Sequence, residues 1–294
     1  LTLTARNMVM KWFEERRGLA NAFLSIGISF GFSYAPLFLN GLIETHGWQG
    51  SWARLGIGIG GLFVVLFLVL ARDNPEQCDL EPDGNLPPRK ASSAPESTPS
   101  ADFTLAEARA TLTFWAFCLM LTMAALYTTG LTFHVVSIFE ESGMDRQTAV
   151  SIFLPASVIA VSTSFLASWA SDYIKLKYLL IVQGVGLLIS ISAFVFLSTP
   201  ATVVLLIIGN GINGGMFGIT SSVSWPRFYG RHHLGAVSGF AMGWTVGGSA
   251  LGPYLFSLSL DVTGSYAGAG LLSGAIVALL AVVAIKADRP AAPS

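Results

Sequence analysis

Five stretches of this chain contain no Asp, Glu, Lys, Arg or His: Gly18 to Ile43, Ala110 to Phe133, Gln147 to Ser171, Leu234 to Leu260 and Val262 to Ile285. Each exceeds the roughly 20 residues that a helix needs to cross the hydrocarbon of a bilayer. In hydrocarbon every backbone amide and carbonyl must be paired within the protein, which leaves helices or a closed barrel as spanning elements. The alternating apolar and polar strands of a barrel are absent, so the runs predict helices. With 53% apolar and only 11% charged residues, the chain lies outside the composition of soluble domains. The expected class is an all-α polytopic membrane protein whose surroundings are lipid. The net charge of −1 comes with no long basic stripe, which argues against a nucleic-acid partner.

Read in order, Leu1 to Met10 lacks both an initiator methionine and the cationic start of a signal peptide, and reads as the end of a helix. Lys11 to Arg17 is a short basic loop, followed by helices over Gly18 to Ile43 and Ser51 to Ala71, joined by the turn Glu44-Thr-His-Gly47. From Arg72 to Arg109 the composition turns to Pro, Ser, Asp and Glu, too little apolar surface to order itself, and reads as a linker. Within it Thr104-Leu-Ala-Glu107 has capping-box spacing and predicts a short helix against the membrane. Six further spans centre near Leu126, Val158, Leu188, Gly211, Gly247 and Ala275, with Thr199-Pro200 breaking one long uncharged run into two. The expected organisation is residues 1–72 as the end of one bundle, 73–112 as linker, 113–289 as a six-helix bundle and 290–294 as a tail, with eight complete crossings. Lys11, Arg16, Arg17, Arg72, Arg89, Lys90, Arg109, Lys175, Lys177, Arg227, Arg231, Lys286 and Arg289 fall on one side, which is therefore expected to be cytoplasmic.

The two ends of the chain echo each other. Lys11 to Pro36 (KWFEERRGLANAFLSIGISFGFSYAP) and Trp225 to Pro253 (WPRFYGRHHLGAVSGFAMGWTVGGSALGP) both pass from clustered cations into a glycine-rich run with an internal proline. A single shift lays Gly18 on Gly235, Gly31 on Gly248, Pro36 on Pro253 and Gly47 on Gly264. Small residues four apart, as in Gly27/Gly31, Gly211/Gly215, Gly239/Gly243 and Gly248/Gly252, let helix backbones approach closely in membranes. Gly27, Gly31, Pro36, Gly248 and Pro253 are the expected packing positions of two repeated bundles that rock about a midplane site.

Lys11-Trp-Phe-x-x-Arg-Arg-Gly-x-Ala20, followed by the glycine-rich helix and Pro36, resembles the loop and fifth helix of the major facilitator superfamily. Ala170-Ser-Asp172 with Lys175 and Lys177 resembles a worn copy of its loop motif between the eighth and ninth helices. Asn74-Pro-Glu-Gln with Glu81-Pro-Asp-Gly84, Phe133-His-Val-Val and Trp225-Pro-Arg-Phe-Tyr-Gly are similar to the bacterial monocarboxylate and oxalate/formate porter branch. The resemblance covers essentially the whole chain and implies helices five to twelve of that fold, with the first three and most of the fourth absent. It implies a cytoplasmic loop and gate role for Arg16, Arg17, Gly18, Asp172, Lys175 and Arg231. The chain departs from the branch in carrying no Asp and Arg pair in the eighth helix and no Lys in the eleventh.

Ionisable groups inside spans are candidates for function because desolvating them must be offset by a partner or a wet cavity. Arg6 either anchors an anionic substrate or snorkels to the headgroups. His134 shares a helical face with Tyr127 and Gly130 and either meets substrate and proton or is satisfied by a neighbouring helix. Asn210 and Asn213 either line a cavity or bond between helices. Trp244 either walls the cavity or packs. These residues, Arg6, Tyr127, His134, Asn210, Asn213 and Trp244, form the expected substrate set. His232-His233 has no partner at ligand spacing, Cys78 and Cys118 are placed too differently for a disulfide, and no nucleophile elbow or phosphate loop occurs. Neither an enzyme nor a metal or cofactor site is expected. The expected function is alternating-access transport of a small organic solute, a carboxylate first, with protons as a candidate coupling partner and the monomer as the working unit. An exporter of amphipathic compounds and a transporter-derived membrane sensor are the alternatives.

Overall fold

The computed structural model describes residues 9, 11–13, 17–70, 78, 102–288 and 290. Arg6, Arg16 and the greater part of the expected linker lie outside the described residues, as do the side chains of Arg17 and Pro36. Every regular element among the described residues is helical.

Helix α1 runs Arg17–Leu70 and is two helices meeting at Gly47, whose φ of 66° and ψ of 168° no helix accommodates. That φ lies in the region that glycine enters without a Cβ penalty, and it stands where the turn Glu44 to Gly47 is expected. After the linker come α2 (Leu105–Arg109), α3 (Leu112–Glu141), α4 (Arg146–Ser151), α5 (Phe153–Ser171) and α6 (Leu176–Val195). The rest are α7 (Pro200–Ser222), α8 (Ser224–Tyr229), α9 (Leu234–Thr263) and α10 (Ala267–Ile285). Local chemistry sets the ends. Thr104 caps α2 in a full capping box with Glu107, and Thr199 caps α7 with Pro200 placed where the first helical amide would have no partner. Gly264, which the single shift lays on Gly47, closes α9 in the left-handed region with φ of 73° and ψ of 9°, whereas Gly47 has ψ of 168°.

Six described segments are long and apolar enough to cross a membrane, from Thr45–Val69 to Ala267–Ile285. The 30 residues of α9 have the length, but glycine, serine and tryptophan dilute their hydropathy. Helix α3 packs along α9 and α10, α6 along α7 and α10, and α5 along α7, while α1 lies against α5 and α7. Phe114, Phe117, Met120, Leu121 and Phe139 of α3, Phe228 of α8 and Phe256 of α9 fill the bundle interior. Ile57, Phe63, Leu154, Leu205, Leu271 and Leu279 stay exposed. Apolar residues on both faces are what a helix needs when its surroundings are lipid tails.

Glycine sets how closely the bundle helices approach. A Cβ on Gly248 would sit 2.6 Å from the Thr122 carbonyl, and one on Gly209 would sit 2.7 Å from the Gly186 carbonyl. Gly211 and Gly215 are likewise closed in by Ile159 and Thr163. Gly27, Gly31, Gly239 and Gly243, expected at packing faces, meet nothing within 4 Å among the described residues. Equal spacing therefore does not produce equal packing, because what occludes a glycine is the neighbouring backbone and not its own periodicity.

Candidate functional site

The substrate set divides in the folded bundle. Tyr127 is completely buried, its hydroxyl 3.0 Å from Ser190 Oγ and its ring among Phe194 and Phe256 at 6.1 and 6.3 Å. In this conformation it packs between α3, α6 and α9. Asn213, only 3% exposed, accepts from Gln183 Nε2 at 3.4 Å and donates to Thr128 Oγ1 at 3.3 Å. Thr220 donates to Gln183 Oε1 at 2.7 Å. A chain of amides and hydroxyls thus ties α3, α6 and α7 together. Asn210, one turn away, is half-buried and has no hydrogen-bond partner among the described residues. Trp244 is 43% exposed and stands edge-on to Trp115 at 5.6 Å.

Gln183 was not among the sequence candidates, although as the sole side-chain amide of α6 it carried the signal. Leucine in its place would leave the Asn213 Oδ1 without its donor, while Thr220 keeps the Met216 carbonyl at 3.0 Å. An orphaned buried polar group costs about 1 to 3 kcal/mol, so Gln183→Leu is expected to lower the melting temperature of the detergent-purified protein by several degrees, whereas Asn210→Leu leaves it nearly unchanged. Equal shifts would discard the network.

His134 joins three helices. Its Nε2 lies 3.1 Å from the carbonyl oxygen of Pro253, which can only accept, so Nε2 carries a proton. Its Nδ1 lies 3.4 Å from the hydroxyl of Tyr266, which itself donates to Ser137 Oγ at 3.0 Å, and its ring stacks on Phe256 at 6.3 Å. In the neutral ring Nδ1 competes with Ser137 Oγ for the single Tyr266 proton. In the imidazolium Nδ1 donates, and the Tyr266 proton goes to Ser137. A proton at His134 therefore reverses one hydrogen bond between α3 and the start of α10. Ser137 lies one turn from His134 on α3, but Tyr266, absent with it from the sequence candidates, is 132 positions away and is brought there only by the fold.

The loop motif residues stand at the opposite end of the bundle. Asp172 pairs with Arg227 Nη2 at 3.4 Å, with side chains 9% and 17% exposed, while Arg227 Nη1 donates to the Ser171 carbonyl. This pair ties the end of α5 to α8. Lys175 and Lys177 pair with Asp288 at 3.5 and 2.7 Å, and the Lys177 hydrogen bond holds the Asp288 carboxyl below its usual range. Asp172 and Lys175 thus have partners within the C-terminal bundle. Arg231 reaches out of it, donating through Nη2 to the Lys11 carbonyl at 2.6 Å. A shallow groove of about 400 Å³ lies beside this end, lined by Ala106, Arg109, Ala110, Trp115 and Phe240, with the Arg109 guanidinium 5.2 Å over the Phe240 ring.

Among the described residues no group of three or more His, Cys, Asp or Glu is placed to hold a metal ion, and both cysteines are free. Comparison with curated proteins finds no match to this chain. The family model described as Major Facilitator Superfamily matches residues 1–253. A match spanning residues 1–253 of an all-helical chain with membrane-length apolar helices shows that it belongs to the Major Facilitator Superfamily of secondary transporters.

Proposed function

We propose that this multi-pass membrane protein moves a small organic solute, a monocarboxylate or related organic anion, by alternating access, with the cation-rich face and the C-terminus in the cytoplasm. The observation that carries the mechanism is the repeat. Gly47 and Gly264, which one shift of the sequence superposes, both take positive φ, 66° and 73°, with different ψ, 168° and 9°, which supports two related halves that rock about a shared site. The solute class rests on the resemblance of Phe133-His-Val-Val and Trp225-Pro-Arg-Phe-Tyr-Gly to the monocarboxylate and oxalate/formate branch, in symport or antiport. Placement of the protein in the inner membrane follows from the same resemblance, and the orientation from the Lys and Arg asymmetry.

His134 is the proposed proton-responsive element. Its partners, the Pro253 carbonyl at Nε2 and the Tyr266 hydroxyl at Nδ1, accommodate both protonation states. Arg6 is the proposed carboxylate anchor. A second reading, export of amphipathic compounds, is favoured by the exposed aromatic surface at Phe133 and Trp244 (73% and 43% exposed).

Uptake of labelled small monocarboxylates by proteoliposomes of the full-length protein, with and without an imposed pH gradient, tests the reading. Accumulation that responds to the gradient is expected, and His134→Gln should flatten its pH dependence while keeping residual uptake. Solute binding without flux would replace transport by sensing. Efflux of lipophilic cations in place of carboxylate uptake would favour the exporter.

A further inference from the structure

The last described residues of the linker are built into the loop between α8 and α9. Asp102 Oδ1 accepts two backbone amides, Arg231 N at 2.9 Å and His232 N at 3.0 Å. Beside it Phe103 N donates to the Tyr229 carbonyl at 3.0 Å, and the Phe103 ring, 4% exposed, meets the Tyr229 ring edge-on at 5.4 Å. The loop is shaped to receive the carboxylate. Gly230 has φ of 79°, and a Cβ there would overlap Asp102 Oδ1 and lie 3.0 Å from Asp102 Cα. No side chain fits between the linker and this turn.

The turn that Asp102 closes is the one from which Arg231 reaches the Lys11 carbonyl at 2.6 Å; Lys11 and Trp12, expected in a loop, are helical and precede α1. We infer that Asp102 is a positioning residue for the cytoplasmic gate: by pinning the amides of Arg231 and His232 it aims the Arg231 guanidinium across the divide, so that linker docking and closure of the cytoplasmic side are one event. Two amides bonded to one carboxylate oxygen fix the direction in which the Arg231 side chain leaves the backbone. Without that carboxylate the glycine at 230 lets the turn sample many conformations, and the bond to Lys11 must be formed from a disordered loop. A linker pulled away from the loop releases Arg231, and a closed gate holds the linker in place, since coupling of this kind is reciprocal.

The inference rests on the alternating-access reading for its consequence, but its test reads the contact without transport. Lys11→Cys keeps the carbonyl that Arg231 uses. In the full-length protein with Cys78 and Cys118 replaced by serine, its labelling by a membrane-impermeant maleimide in inside-out vesicles reports opening of this side. Asp102→Ala should raise the labelling rate by at least about fivefold. Asp102→Asn, which retains an acceptor oxygen, should restore most of the slow rate. Arg231→Gln should raise the rate as Asp102→Ala does, and the double variant should add nothing further, because both remove the same contact. Asp102→Ala labelling at the parental rate, Asp102→Asn as fast as Asp102→Ala, or additive rates in the double variant would each overturn the inference. Should Asp102→Ala fail to reach the membrane, Arg231→Gln against Arg231→Lys decides: fast for the first and slow for the second is expected, and no difference rejects it. Loss of carboxylate uptake with these rates as expected would count against the solute reading alone.

Discussion

Leucine at position 252 is expected to prevent the C-terminal bundle from forming. A Cβ on Gly252 would overlap the Leu126 carbonyl oxygen and lie 3.0 Å from the Gly130 amide, so every added atom meets backbone that cannot turn aside. Replacing glycine in a helix gains about 1 kcal/mol of propensity. Overpacking costs about 1 to 3 kcal/mol even where side chains can adjust, and here α3 and α9 must separate, which also strains the Thr129 to Ser249 hydroxyl contact of 2.9 Å. The loss outweighs the gain by several-fold. Gly252→Leu should yield little or no folded protein on size-exclusion chromatography in mild detergent, whereas Gly247→Leu, whose Cβ meets nothing within 4 Å among the described residues, should give a stable peak. Similar yields for the two would mean that the α3 and α9 contact does not limit assembly.

Arg227→Met is the second large effect expected. Asp172 and Arg227 are only 9% and 17% exposed, so both charges have given up most of their water. Removing one member of a buried pair leaves the other desolvated and costs about 3 to 5 kcal/mol; the residual exposure of both places this pair near the lower figure. Asp172→Asn in the same background removes the carboxylate that Arg227 paired and should recover about half of the loss. The readouts are thermal melting of the purified protein and hydrogen exchange of the segment 170–176, which should quicken in Arg227→Met and slow again in the double variant. Strictly additive losses would show that the two residues are not coupled.

The motif that drew attention to Asp172 and Lys175 is local, and it located the loop between α5 and α6 correctly. It was silent about Arg227, whose role depends on α5 and α7 running side by side to the same end of the bundle, so that Ser171 and Arg227 arrive together. The same holds for His134. Its position in a span marked it as a candidate, yet the groups that give its two nitrogens opposite tasks, Pro253 and Tyr266, come from α9 and the start of α10. Tyr127 shows the converse. A helical face shared with His134 suggested a cavity wall, but that face turns inward against Phe194 and Phe256.

What the chain determined by itself is the class of fold and its punctuation. Uncharged runs long enough to span a bilayer demand helices, because backbone groups in hydrocarbon have no other partner. Thr104, Thr199, Pro200, Gly47 and Gly264 then end or turn those helices by chemistry confined to a few neighbouring residues. The tertiary structure alone decided which glycines are close contacts and which lie open. It also decided that Asn213 bonds between helices while Asn210 does not, and that Asp102 shapes the turn beneath Arg231. Each of these depends on the distance between residues far apart in sequence, which is set by how whole helices pack and leaves no periodicity along the chain.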